Sequence, residues 1–358
     1  VEEQFMNQQK ALEMTERGIL PDTLVRAGIR RLLKQRLDDI AAADLERAAT
    51  QEQVFLKMMR EGPVADVPEL ANEQHYEVPA AFFETVLGDH RKYSCACWPD
   101  GVTSLDEAEE EGLSQTCEHA ALSNGQRILE LGCGWGSLSL FMARRYPDSQ
   151  ITAVSNSVSQ GEFIRAKAAD EGLQNISVIT ADMNEFEADG RYDRIVSVEM
   201  FEHMRNWELL MARISNWLKA DGCFFMHIFV HRDIPYLFQD RGTSDWMSRH
   251  FFSGGMMPSA DLPLRCQEDL ILEQRWFWQG QHYEKTCNAW LQKMDHNRKL
   301  LWPLFEDTYG KDFAAIWWQR WRMFFMACAE LFGYRDGKEW FVAHYRFKRR
   351  DDDETETA

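Results

Sequence analysis

The sequence predicts an α/β fold, a doubly wound sheet of parallel strands with helical additions before and after it. Two observations carry that prediction. From residue 125 to about 232, short runs rich in β-branched and aromatic residues alternate with stretches of helical periodicity. Such a rhythm needs crossover helices between parallel strands. The second observation is "GCGWG" (132–136), a turn of three glycines set between the first of these runs and the first helix. Glycine lets the chain turn tightly there and lets a ligand approach the backbone.

Taken in order, the chain opens with helical patterns. In "PDTLVRAGIRRLLKQRLDDI", Val25, Ile29, Leu32, Leu33, Leu37 and Ile40 recur at helical spacing, with Pro21 and Asp22 suited to the start. Its apolar stripe is expected to pack on the main domain, and the extension is a candidate for capping a pocket or forming a homodimer. "EGPVADVPEL" (61–70) interrupts the pattern as a linker. Residues 1–70 are therefore a helical N-terminal extension, and 71–350 form the main domain. Its strands are expected at "RILELG", "ITAVSN", "ISVITA", "YDRIVSVE" and "CFFMHIFV", with helices around 137–146, 159–171 and 206–219. Two insertions follow, a loop-rich one over about 232–265 and a helical one over 284–332, rich in Trp, Phe and Met. "EWFVAHYRFKRR" closes the domain as a strand, and 351–358 is an acidic tail.

Bulk properties narrow the function. The chain has 358 residues, 45% of them hydrophobic and 12% aromatic, enough for a large core. A net charge of −18 argues against nucleic acid or an anionic membrane surface as the main partner, and favours a neutral or cationic small molecule. The runs "DEAEEEG" and "DDDETETA" read as solvated charge. Eight scattered cysteines with no CxxC pair suggest reduced thiols and no metal site. "VEEQFMNQQKALEM" carries no apolar core of the signal-peptide kind, and no run of roughly 18 apolar residues occurs, so a cytoplasmic protein without stable membrane association is expected.

The glycine turn carries the first chemistry. Gly132, Gly134 and Gly136 follow a buried strand and precede a helix whose N-terminal amides are free to bind. The spacing is G-x-G-x-G with a leading acid, Glu130. That pattern resembles the S-adenosylmethionine site of class I methyltransferases rather than a dinucleotide site. The second strand ends in "SNSVSQ" instead of the acid that takes ribose hydroxyls in many nucleotide-binding sheets. Ser155, Asn156 and Gln160 can make the same hydrogen bonds without charge. After the third strand, Asp182 can accept from an adenine amino group and Met183 can pack on the ring.

Further blocks extend the likeness. "YSCACW" (93–98), "GCGWGS", "SNSVSQ" and "EMFEH", in that order, resemble the cyclopropane-fatty-acid-synthase superfamily of methyltransferases. "QHYEVPAAFF" (74–83), "FFSGGMMPSADL" (251–262), "YGKDFAAIWWQRWRMFF" (309–325) and "AELFGYRDGKEWFVAHYRFK" (329–348) resemble its coclaurine N-methyltransferase-like branch, which acts on benzylisoquinoline alkaloids. The resemblance implies a Rossmann-like class I methyltransferase sheet whose insertions form a substrate cap. It implies S-adenosyl-L-methionine as cofactor and S-adenosyl-L-homocysteine as product. Tyr93, Ser94, Gly132, Gly134, Asn156, Gln160, Asp182 and Met183 would hold the cofactor. Tyr76, Glu77, Glu199, Glu202, His203, Trp321 and Phe324 would form an amine pocket.

"VSVEMFEHMRNW" (197–208) separates the two branches. Cyclopropane synthases read G-M-F-E-H there, and their Glu and His help to hold a bicarbonate ion. This chain has Glu199 in place of the glycine. An added carboxylate repels bicarbonate and attracts an ammonium. The bicarbonate-pocket tyrosine of those enzymes, which comes from a C-terminal helix, falls on "RMFFMACAE", where phenylalanines stand. An alkylamine with a pKa of about 10 must lose its proton before it attacks a methyl group, at a cost of roughly 4 kcal/mol at pH 7. Within a helix, Glu199, Glu202 and His203 would share one face. His203 is then the general base, with Glu202 orienting it or sharing the proton and Glu199 and Glu77 attracting the cationic nitrogen; Glu199 is the alternative base. The bland alternative is that acids gather at a helix start for dipole reasons. Most Trp and Phe side chains are expected to be plain core, with Trp321 and Phe324 singled out for the pocket. The expected activity is N-methylation of a small hydrophobic secondary or tertiary amine, with a tetrahydroisoquinoline as the candidate. The alternative is cyclopropane-type lipid methylation.

Overall fold

The structure, a computed structural model, describes residues 2–40, 42–65, 79–238 and 245–350. A seven-stranded sheet runs through the main domain in the order β3-β2-β1-β4-β5-β9-β8. Its strands are β1 (Arg127–Leu131), β2 (Gln150–Ser155), β3 (Ile176–Thr180), β4 (Tyr192–Val198), β5 (Leu218–His231), β8 (Leu270–Trp278) and β9 (Trp340–Arg349). A two-stranded ribbon, β6 (Tyr236–Leu237) with β7 (Met256–Met257), lies in the first insertion.

The first five sheet strands pair in parallel, as the strand–helix rhythm requires. Both pairings of β9 are antiparallel, so the sheet is mixed rather than wholly parallel. β8 is the strand that the periodicity does not announce. It is an edge strand with a register shift between Leu272 and Gln274 and mostly exposed or half-exposed residues, so its apolar alternation is broken.

The crossover helices stand close to their expected places, at Ser137–Arg145, Val158–Asp170 and Trp207–Trp217. Gly136 opens the first with a φ of 78°. Asn206 caps the last, its side chain accepting from the Leu209 amide at 3.0 Å. The helical insertion is three helices, Gly280–His296, Arg298–Tyr309 and Ala314–Gly333, separated at Asn297 and at Gly310, whose φ is 80°.

The N-terminal extension forms α1 (Glu2–Glu16), α2 (Asp22–Asp39) and α3 (Leu45–Glu61). α2 packs on the helical insertion as its stripe predicts, with Val25 and Leu37 buried. Arg26 and Arg30 both pair with Glu330, and Arg322 joins Asp22 of α2 to Asp295. At the end of α1, Glu16 accepts from Trp246 Nε1 and Arg320 Nε, both at 2.9 Å. The expected linker begins as packed chain. Val64 and Ala65 are buried, and the Val64 carbonyl accepts from the Arg205 amide at 2.7 Å. Its remainder lies outside the described residues, as do Tyr76, Glu77, residues 239–244 and the acidic tail. Among the described residues no helix is long and apolar enough to cross a membrane, and all eight cysteines are free thiols.

Candidate active site

Four strand ends converge at the C-terminal edge of the parallel sheet. Leu131 pairs with Val154 and Ser197, and Ser155 pairs with Thr180. The residues that follow β1, β2, β3 and β4 therefore stand side by side, where open α/β sheets bind ligands. The amides of Gly132 and Cys133 donate back to the Val154 carbonyl, at 3.0 and 2.9 Å, which fixes the turn.

The three glycines are there for different reasons. A Cβ at Gly132 would come within 2.8 Å of Met200, and one at Gly136 within 2.6 Å of Ile164. Packing alone demands those two. Gly134 also has a positive φ, 51°, but nothing lies within 4 Å of where its Cβ would be. It faces a cavity lined by Tyr93, Ser94, Glu130, Gly132, Gly134, Gln160 and Glu199, among others.

Two buried groups in that cavity fit a cationic nucleoside ligand. Gln160 accepts from Ser155 Oγ at 2.6 Å through Oε1, while its buried Nε2 has no partner among the described residues. An amide hydrogen left without an acceptor in a buried site is costly, so a ligand oxygen or nitrogen would stabilise it. Glu130 is buried beneath the turn and accepts from Ser139 Oγ. Burial pushes its carboxyl up to about 8, a penalty that a bound cation would relieve. Among the other expected cofactor residues, Tyr93 and Ser94 line the cavity. Asn156, Asp182 and Met183 do not; they stand at the ends of β2 and β3. Asn156 is exposed, Asp182 is half-buried and accepts from the Asn184 amide at 2.8 Å, and Met183 is buried.

The acidic cluster departs from its expected shape. Glu199 is not helical; its φ is 50°, and its amide donates to the His227 carbonyl of β5 at 2.9 Å. Only a short 3₁₀ turn, Phe201–His203, separates it from the helix that begins at Trp207. The shared helix face is therefore replaced by a strained backbone corner that turns Glu199 towards the cavity. Its carboxylate is held on three sides. Oε1 accepts from the Cys95 amide at 2.9 Å and lies 3.2 Å from His227 Nε2, and Oε2 accepts from Tyr283 OH at 2.6 Å. Burial raises its pKa, opposed first by the Lys92 ammonium. Lys92 is itself buried, donating to Ser94 Oγ and the Cys95 carbonyl, each at 2.6 Å.

Glu202 serves β5 instead. Its Oε1 accepts from the Phe229 amide at 2.7 Å, and its buried Oε2 has no partner among the described residues. Burial, then the nearby Glu199, hold its pKa well above the usual carboxylate range. The expectation that it orients His203 is replaced by that bond to the strand. His203 stacks on Phe252, with ring centroids 4.4 Å apart. Burial lowers it to about 4 against the pull of Glu199, which leaves a neutral imidazole at pH 7.

Aromatic rings connect this cluster to the glycine turn. Tyr283 stacks on Phe332 at 4.3 Å, Phe332 meets Phe229 at 6.1 Å, and Phe229 meets Phe252 at 5.8 Å. On the other side Trp135, Phe83, Trp321, Phe251 and Phe324 follow one another at centroid spacings of 5.2, 6.2, 5.1 and 4.5 Å. Trp321 and Phe324 are both buried in this aromatic row and are not among the residues lining the cavity; Trp321 Nε1 donates to Tyr309 OH at 3.2 Å.

Sequence reasoning missed three residues. His227 was visible as the one imidazole in the apolar run "CFFMHIFV". Lys92 precedes the "YSCACW" block and carries no signal of burial. Tyr283 comes from the helix Gly280–His296, not from the stretch in which a tyrosine was sought. A tyrosine does reach the cluster, so its supposed absence no longer discriminates between amine and bicarbonate, and that argument rests on Glu199 alone.

The mycolic acid cyclopropane synthetase family matches residues 67–339. (S)-coclaurine N-methyltransferase of Thalictrum flavum subsp. glaucum is 35% identical over 343 residues, covering 95% of each chain. A crystal structure of coclaurine N-methyltransferase bound to N-methylheliamine and SAH aligns with a TM-score of 0.91 at 34% identity, over 95% of this chain and 99% of that one. Cyclopropane-fatty-acyl-phospholipid synthase of Escherichia coli strain K12 is 29% identical, covering 77% of this chain and 68% of its own.

Proposed function

Because this chain belongs to the mycolic acid cyclopropane synthetase family, in its coclaurine N-methyltransferase branch, it is an S-adenosylmethionine-dependent methyltransferase, and we propose that it methylates a small hydrophobic amine. The observation that carries the reading is the Glu199 carboxylate. It is fixed by Cys95, His227 and Tyr283 in the same cavity as Gly134, with a neutral imidazole, His203, stacked on an aromatic ring.

The cofactor supplies an electrophilic methyl group on a sulfonium. The chain's own residues do the rest. Gln160 and the Gly134 backbone fit the cofactor's polar groups, with Tyr93 and Ser94 on the cavity wall. Glu199 offsets the repulsion between a substrate ammonium and the sulfonium. His203 accepts the proton that the nitrogen must lose, and Glu199 is the alternative acceptor. Aromatic faces such as Phe252 favour a cation or a ring lying against them. Trp321 and Phe324 stand in the aromatic row behind, and Asn156, Asp182 and Met183 are assigned to the ribose and adenine.

The reading takes a secondary or tertiary amine as substrate, with a tetrahydroisoquinoline first in line given the coclaurine-acting relatives. It takes no nucleic acid or membrane as partner, and a cytoplasm as the compartment that keeps the thiols reduced. The protein incubated with methyl-labelled cofactor, an amine panel and unsaturated phospholipid tests it. Label on amine nitrogen is expected; label confined to lipid would overturn the amine reading.

A further inference from the structure

Behind Glu199 lies a row of imidazoles that methyl transfer itself does not require. Glu199 Oε1 is 3.2 Å from His227 Nε2, His227 Nδ1 is 2.8 Å from His344 Nε2, and His344 Nδ1 is 2.8 Å from His119 Nδ1. His227 and His344 are cross-strand partners on β5 and β9, both fully buried, and Trp276 of β8 pairs with His344 in turn. His119, half-buried at the end of the helix Leu105–His119, stacks on Trp276 at 4.0 Å. Trp278 and Phe225 wall the row, at 4.3 and 5.1 Å from His344. Burial holds both His227 and His344 well below the usual imidazole range, so each is neutral and has one N–H and one lone pair.

That count restricts the row to two patterns. In one, every N–H points inward: His119 Nδ1 donates to His344 Nδ1, His344 Nε2 to His227 Nδ1, and His227 Nε2 to an ionised Glu199. In the other, every N–H points outward, and a protonated Glu199 donates to His227 Nε2, leaving the last hydrogen on His119 Nε2. A mixed pattern sets two donors or two lone pairs face to face. The two patterns differ by one proton.

We propose that Glu199, His227, His344 and His119 form a proton line through which the reaction cavity exchanges one proton with solvent at His119 when a cation enters or leaves. The proposal rests on the amine reading, because it takes a cationic nitrogen beside Glu199. When the cation arrives, Glu199 gives its proton to His227 Nε2. His227 passes its Nδ1 proton to His344 Nε2, His344 passes its Nδ1 proton to His119 Nδ1, and His119 releases its Nε2 proton to water. One O–H bond breaks at Glu199, one proton appears outside, and each ring stays neutral. Departure of the cation runs the sequence backwards, so no separate reset is needed. The groups acting on the ends are Lys92, Tyr283 and His203 on Glu199, and Glu118 and Arg346 on His119.

The test uses the full chain saturated with S-adenosylhomocysteine, so that no methyl can move. Tetrahydroisoquinoline is mixed in at pH 7 in weak buffer with a pH-indicator dye, and amine binding is followed in parallel. Proton release in step with binding is expected, slowed at least about tenfold in His344→Asn and in His119→Asn, with cofactor affinity unchanged. His119 is only half-buried, so its variant remains informative should His344→Asn not fold. Release equally fast in both variants, or none from the unmodified enzyme despite amine binding, would overturn the line. Failure of the enzyme to bind or methylate any amine would instead overturn the functional reading.

Discussion

The two halves of the cavity are built by different means. On the side proposed for the cofactor, β1 and β2 deliver backbone: a turn pinned by two amide bonds to Val154 and one glycine, Gly134, whose missing Cβ leaves open space. On the side proposed for the amine, β4, β5 and the helical insertion deliver buried ionisable side chains. Glu199, Glu202 and His203 are held by Cys95, Tyr283, Phe229 and Phe252, partners that lie far away in the sequence or on other elements. A backbone-built site tolerates almost no added atom but does not depend on pH. A site of desolvated charges tolerates similar shapes and fails when a charge is removed. Substitutions on the two sides should therefore fail in different ways.

The largest effect is expected from Gly134→Asp. The substitution forces a φ of 51° on a residue with a Cβ and aims a carboxylate into the cavity. S-adenosylhomocysteine affinity should fall by at least about 10³-fold, with a stability loss limited to the roughly 1–2 kcal/mol of the left-handed backbone, because nothing packs against that Cβ. Calorimetry checks it, and near-normal binding would mean that the cavity is not the cofactor site. Next comes Glu199→Gln, which keeps the shape and removes the charge. Turnover on an amine should fall about 10²- to 10³-fold with cofactor affinity unchanged. A parallel fall in cofactor affinity would erase the distinction between the two sides.

His203→Ala should cost about 10²-fold at pH 7, and its pH profile sharpens the comparison. With its pKa lowered to about 4, His203 is unprotonated throughout the neutral range but a weak acceptor, its protonated form supported by the Glu199 charge, so the unmodified enzyme should show a flat kcat/KM from pH 6 to 9. Without that acceptor only free amine reacts. The variant's rate should then rise by about tenfold per pH unit up to the amine's pKa of about 10. A flat profile in the variant would hand the role of base to Glu199.

The same contrast explains what could be read from the sequence. The glycine turn, the five parallel strands and their crossovers were legible because local chemistry determines them: a periodicity of apolar residues and a backbone that only glycine follows. That Glu199, Glu202 and His203 stand close together was legible too, but not their geometry. A helix was the natural expectation for "EMFEHMRNW", and it fails because the Glu199 amide is captured by the His227 carbonyl on a neighbouring strand. Tyr283 arrives from a helix 84 residues further on. β8 escaped notice for a related reason, since an edge strand with a bulge needs no clean alternation. Pairings across the sheet turn lone histidines into a row, and no local pattern announces them.

The smallest effect belongs to Glu130, the one desolvated carboxyl on the backbone-built side, and it shows where the contrast ends. Its pKa of about 8, raised by burial, means that most molecules carry it protonated at pH 7. A cation bound nearby favours the ionised form, so binding must release that proton, and affinity for S-adenosylmethionine should rise with pH through 7 to 8 and level off above. One pK unit between pH 7 and the carboxyl's own value limits the gain to about tenfold. The cofactor's amino group titrates in the same range, with a pKa of about 8 by analogy with an α-amino group. Glu130→Gln carries only that second titration, so the difference between the two curves isolates Glu130. Curves that coincide would make the cofactor side a purely backbone site, with Glu130 serving only to hold Ser139 beneath the turn.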